Sequence, residues 1–556
     1  MMDVQLKDIQ IFLEGEGYEC IYIDSPKGDY LFIDIYINEE VIRLKLIFPS
    51  YFPYEFPKAY ILKEFYNLYQ PLPHINLDGH ICTFDNNKVF PNSDKPKEVT
   101  LEVVRQAENV LIEGINGINN DDFEDEFLAY WELDSNIIVD LIFTPSKKVQ
   151  TLWCYRRNET FMYISDSKTK LNNFLKYTKN WNIAMAKFIK VLYLPIENGF
   201  NIPFPTTNSE IINFLQKESH FEKYMNYMRD NESNRIVICS QEIKGSLCTF
   251  GWVHEKEKTP NGFRINNINP THLYKNIHRN RKIKNVRVNQ LGHKRIFNRG
   301  GDGTIQDNIK VSITGCGSIG SNLAKSLVDI GIKDLVLIDE DILTQDNIGR
   351  HYCGASYIRR YKSEAVKNEL IRHYVDIKCT SINKNVFDVI KYDIDIFNSC
   401  NYNFIVVGNL PVERKFISLF NKEIINKPII LIWVEPYLIG GHAIIMQASQ
   451  DIENVLFDEK FNFKDRIIIN GDDYINREAG CQSTFIPYSG FEVQYFITNI
   501  VDFININFLE KCKQGNYLLS WSGRIDKARK DSMQLNNKWL SSAGRELKIR
   551  KLDSYD

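Results

Sequence analysis

The stretch NIKVSITGCGSIGSNLAKSLVDIGIKDLVLID, residues 308–339, constrains the fold more than any other part of the chain. An apolar strand pattern runs into the glycines of a G-x-G-x-x-G sequence, Gly315, Gly317 and Gly320, and a helical pattern and a second apolar strand follow. This order predicts a βαβ unit, whose helix makes the crossover that two parallel strands require. The later runs FIVVG and IILIWVE predict further strands of a mostly parallel α/β sheet.

The glycine turn is suited to phosphate binding, because glycines let the backbone N–H groups at a helix N-terminus come close to phosphate oxygens. Asp339 ends the second strand, 19 residues after Gly320. A carboxylate at this place accepts hydrogen bonds from ribose hydroxyls. On these features alone, NAD and ATP fit equally well.

The residues after Asp339 favour ATP. Two carboxylate or amide side chains and two cations follow within 23 residues: Asp341, Asn347, Arg350 and Lys362. A hydride-transfer site has no need of clustered cations beyond the ribose carboxylate. A triphosphate that loses pyrophosphate does, because negative charge builds on the departing oxygens.

Length and composition describe a multidomain globular protein. The chain has 556 residues, and at a rough ~150 residues per domain it would hold three or four domains. The net charge of −3 indicates no general affinity for nucleic acid or membranes. The eleven cysteines form no C-x-x-C pair, so we expect neither a disulfide framework nor a bound structural metal. The N-terminus lacks a signal-peptide pattern and no long apolar run occurs, which favours a cytoplasmic protein.

The pattern of elements predicts three domains. Residues 1–145 read as helix, antiparallel meander, a cysteine-containing loop and further helices, which is an α+β domain. Residues 146–285 mix strand and helix patterns without site chemistry and predict an α+β linker domain. Residues 286–556 contain the βαβ unit and predict a Rossmann-like domain. The predicted fold class is therefore multidomain α/β and α+β.

A basic segment joins the last two predicted domains. Nine Lys and Arg residues and no acids lie between Lys275 and Arg299. Three interpretations stay open: a solvated connection, a nucleic-acid arm, or cations that lean into a neighbouring phosphate site.

The C-terminal pattern resembles the ThiF and ubiquitin-activating adenylation family, which also includes the bacterial enzymes that activate sulfur-carrier proteins. The resemblance implies that ATP and Mg²⁺ bind and that these residues hold the nucleotide: Gly315, Gly317, Ser318, Gly320, Asp339, Asp341, Asn347, Arg350 and Lys362. Where the family carries an aspartate near the magnesium, the sequence VVGNLPVER places Asn409. The absence of C-x-x-C pairs implies that the zinc found in many of these enzymes is missing.

The loop NREAGCQSTF contains Cys481 ahead of a long apolar helix pattern that begins near Gly490. In ubiquitin-activating enzymes a thioester cysteine follows the nucleotide-binding strands in the same order, so the resemblance implies this role for Cys481. A cap or packing cysteine is the alternative. A further motif, WVEPYLIGGHAII, suggests a polar site at Glu435 and His442 near the tail of a carrier protein.

The first domain contains PHINLDGHICTFDNN, residues 73–87, in which Cys82 is structural, a metal ligand or a nucleophile. Beside the C-terminal motifs this loop resembles the ubiquitin-conjugating family, through His74, Asn76, Gly79 and Cys82. Ile75 stands where the family has proline, and two residues are missing between the asparagine and the cysteine. The resemblance implies that Cys82 carries a thioester and that Asn76 stabilises the oxyanion when an amine attacks; His80 or the loop backbone is the alternative donor.

A conjugating domain first and an activating domain last resembles the fused activating–conjugating proteins of bacterial CBASS anti-phage operons. The resemblance implies that ATP adenylates the C-terminus of a carrier protein, a cGAS-like nucleotidyltransferase or a ubiquitin-like protein. The acyl group then passes through thioesters on Cys481 and Cys82 to a lysine of a target protein. It also implies a homodimer, because the activating domains of this family usually pair two-fold. The scattered, unpaired cysteines favour a reducing cytoplasm, and the net charge favours no membrane or nucleic-acid partner.

Other functions fit parts of the pattern. A sulfur-carrier adenylyltransferase with an inert N-terminal adaptor would need neither Cys82 nor an amide product. A non-catalytic nucleotide-binding scaffold is the interpretation that Asn409 favours. A nicotinamide dehydrogenase fits the glycine motif alone.

Overall fold

A computed structural model describes residues 6–26, 28–69, 72–76, 78–85, 88–119, 122–132, 135–181, 187–200, 204–230, 235–257, 262, 269–477 and 484–552. Within these ranges no helix combines the length and the apolar character that crossing a bilayer demands.

The first domain is an antiparallel meander covered by helices. Its strands pair in sequence order: β1 (Glu19–Ile23), β2 (Tyr30–Ile37), β3 (Glu40–Ile47) and β4 (Lys58–Ile61). Its helices are α1 (Leu6–Gly15), α2 (Lys63–Tyr69) and α3 (Pro96–Ile115). In β3 the side chains of Ile42, Leu44 and Leu46 are buried and alternate with more exposed residues, as period-two strand geometry requires. They share one apolar core with Val104 and Ala107 of α3.

The middle of the chain forms a closed β-barrel. Its strands are β5 (Ile137–Ile142), β6 (Gln150–Arg156), β7 (Phe161–Ser165), β8 (Phe188–Pro195), β9 (Arg235–Ile243), β10 (Ser246–His254) and β11 (Lys284–Gln290). They close in the order β10–β11–β5–β7–β6–β8–β9. The helices of this region and of the segment before it are α4 (Asp122–Asp125), α5 (Phe127–Glu132), α6 (Lys168–Asn173), α7 (Asn208–Leu215) and α8 (Phe221–Asp230).

The barrel reaches beyond the predicted linker range of 146–285 at both ends. Strand β5 precedes residue 146, and most of β11 follows residue 285. The two strands pair in parallel, with Val286 opposite Ile137. A pairing across about 150 residues leaves no local pattern, so periodicity alone predicts the strands without showing that they close a barrel.

The last domain is built on a mixed sheet with the order β14–β13–β12–β15–β16–β17–β20–β21. Its strands are β12 (Gln306–Thr314), β13 (Ile332–Ile338), β14 (Lys378–Ile382), β15 (Tyr402–Ile405), β16 (Ile429–Val434), β17 (Gly440–Met446), β20 (Asn516–Ser522) and β21 (Glu546–Leu552), with the separate pair β18 (Asn476–Arg477) and β19 (Thr484–Phe485). Its helices are α9 (His293–Gly300), α10 (Ser318–Asp329), α11 (Lys362–His373), α12 (Val386–Tyr392), α13 (Asp395–Asn398), α14 (Leu410–Asn421), α15 (Ile452–Leu456), α16 (Gly490–Ile504) and α17 (Ile525–Lys530).

Strands β14, β13, β12, β15 and β16 pair in parallel, which confirms the predicted α/β sheet. From β12 the chain first winds outward to β13 and β14 and then returns to β15 on the other side. This reversal opens a crevice at the carboxyl ends of β12 and β15, where open α/β sheets bind ligands.

The barrel contacts both of its neighbours. Trp131 of α5 donates its indole N–H to the Gly251 carbonyl of the barrel at 3.0 Å and packs among barrel aromatics. On the other side, the ammonium of Lys170 lies 2.6 Å from the carboxylate of Asp376, just before β14. Helix α5 therefore connects the first domain to the barrel.

Candidate functional site

A cleft of about 350 Å³ opens at the crevice between β12 and β15. It is lined by residues that follow the ends of the parallel strands: Thr314, Gly315, Gly317, Ile338, Asp339, Glu340, Asp341, Lys362, Lys384, Asn385, Val386, Phe387, Val406, Val407, Asn409 and Val412. Several nucleotide-binding residues predicted from the sequence thus come together in one place.

Glycine suits each of the three positions in the turn for a different structural reason. Gly315 adopts a φ of +92°, and a Cβ there would lie 2.6 Å from the Val406 carbonyl oxygen. A Cβ on Gly320 would lie 1.8 Å from the Gly315 carbonyl oxygen, so helix α10 can approach the turn only without a side chain. Gly317 lines the cleft and a Cβ on it would meet nothing within 4 Å. The backbone at Gly317 is therefore open to a phosphate group.

The carboxylate of Asp339 fastens this turn. It accepts hydrogen bonds from the backbone N–H of Cys316 at 2.6 Å and of Asp341 at 2.8 Å. Burial raises the pKa of the Asp339 carboxyl above its ordinary value. Each carboxylate oxygen retains a second lone pair, so a ribose hydroxyl can still donate to it.

Lys362 brings a mostly buried cation to the cleft. Its ammonium lies 2.8 Å from the carboxylate of Asp341, and only 13% of its side chain is exposed. Its backbone N–H donates to the Asp341 carbonyl at 2.8 Å, which fixes the start of α11 against the cleft. An incoming triphosphate would compete with Asp341 for this ammonium.

Arg350 and Asn347 lie outside the set of residues that line the cleft. The Arg350 guanidinium stacks 4.6 Å from the ring centroid of Tyr488 and donates to the Ile486 carbonyl at 3.2 Å. The Tyr488 hydroxyl in turn bonds Ser318 of the glycine turn at 2.6 Å. Arg350 thus holds the segment that enters α16 beside the glycine turn, and its contact with phosphate stays a prediction.

The side chain of Asn347 stabilises a local turn in the chain. Its side-chain oxygen accepts the backbone N–H of Thr344 at 3.0 Å. Asn409 does line the cleft, where its side chain caps α14 by accepting the Val412 N–H. Cys481 lies outside the residues that the structure describes, so its thioester role stays a prediction.

The sequence patterns did not identify the far end of the cleft. Lys384, Asn385 and Phe387 line it after β14. Asn385 donates to Glu340 at 2.6 Å and accepts the Phe387 N–H at 2.9 Å. The signal that would have found them is their place after a parallel strand of the same sheet.

The loop that contains Cys82 folds as a tight hairpin. Asn76 N–H donates to the His80 carbonyl at 2.9 Å, and Cys82 N–H donates to the His74 carbonyl at 2.8 Å. Ile75 and Ile81 face each other between these bonds and are buried. Because side chains alternate along extended strands, Asn76, His80 and Cys82 share the opposite, outward face of the hairpin. His74 precedes the extended part, with a φ of +60°.

Cys82 is an exposed thiol with an acidic neighbourhood. Partial burial of the sulfur, followed by the negative charges of Glu126 and Asp78, raises the pKa of Cys82 above its ordinary value. The group therefore stays a neutral thiol at pH 7. Among the described residues no cluster of three or more His, Cys, Asp or Glu side chains could hold a metal ion.

His74 anchors the hairpin. Its Nδ1 lies 2.7 Å from Glu126 and its Nε2 lies 3.1 Å from Asp122. Hydrogen bonding to Glu126, with a smaller contribution from Asp122, raises the pKa of His74 to about 9. Protonated at neutral pH, His74 connects the strand that faces Cys82 to the segment carrying α4 and α5.

Asn76 and His80 are neighbours on the Cys82 face. The Asn76 amide nitrogen lies 3.4 Å from His80 Nδ1. Burial lowers the pKa of His80, so its imidazole is neutral at pH 7 and can accept the Asn76 N–H. The hairpin thus brings both predicted oxyanion donors to one surface, with Asn76 oriented by His80.

Glu435 and His442 form a buried structural network. His442 is fully buried and its Nε2 lies 2.6 Å from Glu435. The Glu435 carboxylate also accepts the backbone N–H groups of Ile467 and Ile468 at 2.7 and 2.8 Å. With these bonds made inside the domain, the pair supports the fold rather than an open binding site.

Family comparisons match both ends of the chain. The model of the prokaryotic E2 family B matches residues 25–139, and that of the ThiF family matches residues 291–418. These matches confirm the predicted resemblance of the first domain to conjugating enzymes and of the last domain to adenylation enzymes.

Similar proteins include two relatives named ATP-dependent ubiquitin transferase-like protein Cap2. The one from Escherichia coli (strain TW11681) is 24% identical over 367 residues, and the one from Pseudomonas aeruginosa (strain BWHPSA011 / Pa011) is 22% identical over 346 residues. The matches cover 57% and 58% of this chain and 60% of each relative, so the chain spans less than two thirds of their length.

Solved structures with partial likeness include PaaA and Escherichia coli MccB in complex with MccA-N7isoASN. They are 14% and 17% identical, with TM-scores of 0.29 and 0.27. Each likeness covers 44% of this chain and 64% of the other.

Proposed function

Because the chain carries a prokaryotic E2 family B domain at residues 25–139 and a ThiF family domain at residues 291–418, we propose that it is an ATP-dependent activating and conjugating enzyme. In the first step a carrier protein's C-terminal carboxylate attacks the α-phosphorus of ATP. The bond to the β-phosphate breaks, pyrophosphate leaves, and the carrier becomes an acyl adenylate.

The cleft at the end of β12 supports this step. The backbone at Gly317 is open to phosphate, Asp339 can accept ribose hydroxyls, and Lys362 offers a cation close by. Carboxylate and amide oxygens of Asp341 and Asn409 also line the cleft and suit Mg²⁺, which prefers oxygen ligands and would neutralise charge on the phosphates. Arg350, beside the glycine turn, is expected to meet the phosphates once the segment at Tyr488 adjusts.

Two thioesters follow. The sulfur of Cys481 attacks the adenylate carbonyl, AMP leaves, and the thiol proton passes to solvent. The sulfur of Cys82 then attacks that thioester and releases Cys481 as a thiol. A lysine amine of the target finally attacks the Cys82 thioester, forming an amide and freeing Cys82.

The hairpin is the observation that carries the proposal. It displays Cys82 on an exposed face beside Asn76 and His80, with the acids Asp78 and Glu126 near the sulfur. A neutral thiol is a weak nucleophile, so Cys82 reacts slowly with electrophiles in solution. Its small thiolate fraction can still exchange with a thioester. The Asn76 amide is available to stabilise the oxyanion of the amide-forming step.

The proposed carrier is a cGAS-like nucleotidyltransferase or a ubiquitin-like protein with an exposed C-terminal tail, in anti-phage defence. The family likeness to fused activating–conjugating proteins favours the former, together with a homodimer and a lysine on the target.

Incubation with ATP, Mg²⁺ and a cGAS-like nucleotidyltransferase that has an exposed C-terminal tail tests the proposal. We expect pyrophosphate release and thiol-sensitive adducts on non-reducing gels. Cys481→Ala should abolish every adduct, whereas Cys82→Ala should leave the Cys481 adduct and abolish the final conjugate. Adenylate formation alone, without a conjugate and unaffected by Cys82→Ala, would favour a sulfur-carrier type of enzyme, and absent pyrophosphate release would favour a scaffold.

A further inference from the structure

The basic segment between Lys275 and Arg299 divides into two parts with different surroundings. In the first part, Arg281 lies 3.0 Å from Glu257 and Lys284 lies 2.5 Å from Glu255. Arg287 lies 3.3 Å from Glu132. Three of the six cations in this part are thus paired with acids of α5 and of the segment that follows β10.

The second part is unpaired and lines a groove. Across the described residues, Lys294, Arg295 and Arg299 have no carboxylate within ion-pair distance. They lie on helix α9, where Lys294 and Arg295 are adjacent and Arg299 is one turn after Arg295, and their side chains are exposed. The opposite face of α9 buries His293 and Phe297, and Phe297 belongs to the core of the last domain.

The groove has a volume of about 690 Å³ and lies between α9 and the barrel. The barrel side contributes the end of β5 and the β9–β10 turn. Its lining contains three cations and no acid: Thr144, Pro145, Gly245, Ser246, Leu247, Gln290, Gly292, Lys294, Arg295, Asn298 and Arg299. None of these residues lines the nucleotide cleft, so the cations do not lean into that phosphate site.

We propose that this groove binds an extended acidic segment of a partner protein. Arg295 and Arg299 are four residues apart on the helix, so they lie on one face and are separated by about 6 Å along its axis. Acidic side chains two residues apart on an extended chain are separated by roughly 6.8 Å, so the two spacings match. An apolar residue between the acids can cover Leu247, of which 40% is exposed, and Pro145.

The lining favours a peptide over other anions. A nucleic-acid surface combines more cations with aromatic rings on which bases stack, and no aromatic residue lines this groove. A small phosphate ligand is held by buried charges, whereas the three cations here are all exposed. A row of exposed cations is complementary in charge to carboxylates spaced along an extended peptide.

Fluorescence anisotropy with a labelled peptide of sequence Glu-Glu-Leu-Glu-Glu tests this inference, with Gln-Gln-Leu-Gln-Gln as the matched peptide. The triple variant Lys294→Gln, Arg295→Gln and Arg299→Gln should weaken binding about tenfold or more. A control with the same charge change on exposed lysines of another surface, Lys415→Gln, Lys422→Gln and Lys427→Gln, should bind like the wild type.

Arg295→Lys with Arg299→Lys should retain most of the affinity, and added salt should weaken binding. Absence of binding, equal binding of the glutamine peptide, or equal binding by the groove variant would overturn the proposal. So would preferential binding of a short single-stranded DNA or displacement of the peptide by inorganic triphosphate, which would assign the groove to nucleic acid or to phosphate.

Discussion

The imidazole of His74 lies 2.7 Å from the carboxylate of Glu126, across 52 residues of sequence. His74 belongs to the hairpin of Cys82, and Glu126 immediately precedes helix α5, whose Trp131 is anchored in the barrel. The contact therefore fixes the proposed thioester cysteine relative to the barrel, which in turn contacts the domain with the proposed nucleotide cleft.

Replacement of His74 by Gln should destabilise the first domain by about 1–2 kcal/mol near neutral pH, because charge-assisted hydrogen bonds are lost. The pKa of His74 is raised to about 9, above its ordinary value of 6.5. The stabilisation is thus fully present below pH 6.5 and is lost as the pH rises through 9. Chemical unfolding of wild type and variant at several pH values measures it.

His220, 3.5 Å from Glu197 on the barrel, provides a matched control through His220→Gln. A destabilisation by His74→Gln that is as large at pH 10 as at pH 6 would contradict the charged clamp.

Substitutions of Asn76 and of His80 should have different effects on the rate of single-turnover transfer from Cys82 to free lysine. Asn76→Ala should slow this transfer about 100-fold, since one oxyanion donor is removed. His80→Ala should have a smaller effect, because His80 only orients the Asn76 amide at 3.4 Å. Formation of the Cys82 thioester should change little in either variant. A larger loss in His80→Ala than in Asn76→Ala would make His80 the donor.

Lys362→Ala should reduce ATP–pyrophosphate exchange about 100-fold, because the leaving phosphates lose a cation that lines the cleft. Asp341→Asn should have a weaker effect, since Asp341 positions the ammonium from 2.8 Å. Lys378→Ala is the control: this lysine pairs with Asp334 at 2.9 Å on a neighbouring strand and is mostly exposed. Equal losses of ATP–pyrophosphate exchange in Lys362→Ala and Lys378→Ala would show that Lys362 does not act on the phosphates.

Glu413, one turn into α14 after Asn409, is a buried carboxyl without a hydrogen-bond partner for Oε1 among the described residues. Burial raises its pKa to about 7 from 4.5. Ionisation of the unfolded chain therefore destabilises the fold as the pH rises from 4.5 to 7. Glu413→Met should raise the free energy of unfolding by about 2 kcal/mol at pH 7.5 relative to its effect at pH 4.5. Denaturant unfolding at the two pH values measures this difference. An equal gain in the free energy of unfolding at both pH values would contradict the prediction.

Local patterns predicted the parts of the protein whose chemistry lies in consecutive residues. The glycine turn and Asp339 were identified because strand, turn and helix follow one another directly. The outward position of Cys82 follows from its alternation with Ile81.

Contacts between distant segments left no such pattern. The pairing of Glu126 with His74, the closure of the barrel through Val286 and Ile137, and the contribution of Phe387 to the cleft all depend on how separate elements assemble. The polar site predicted at Glu435 and His442 near the carrier's tail is instead a buried network, because burial cannot be judged from residue types alone.

The most direct test of the two-cysteine relay is mass-spectrometric mapping of the carrier adduct after one turnover with ATP. The account predicts a thiol-sensitive adduct on the peptide that contains Cys82, absent without ATP and absent in Cys481→Ala. Conjugation of the carrier to its target at the wild-type rate by Cys82→Ala, with no adduct on that peptide in the wild type, would contradict it.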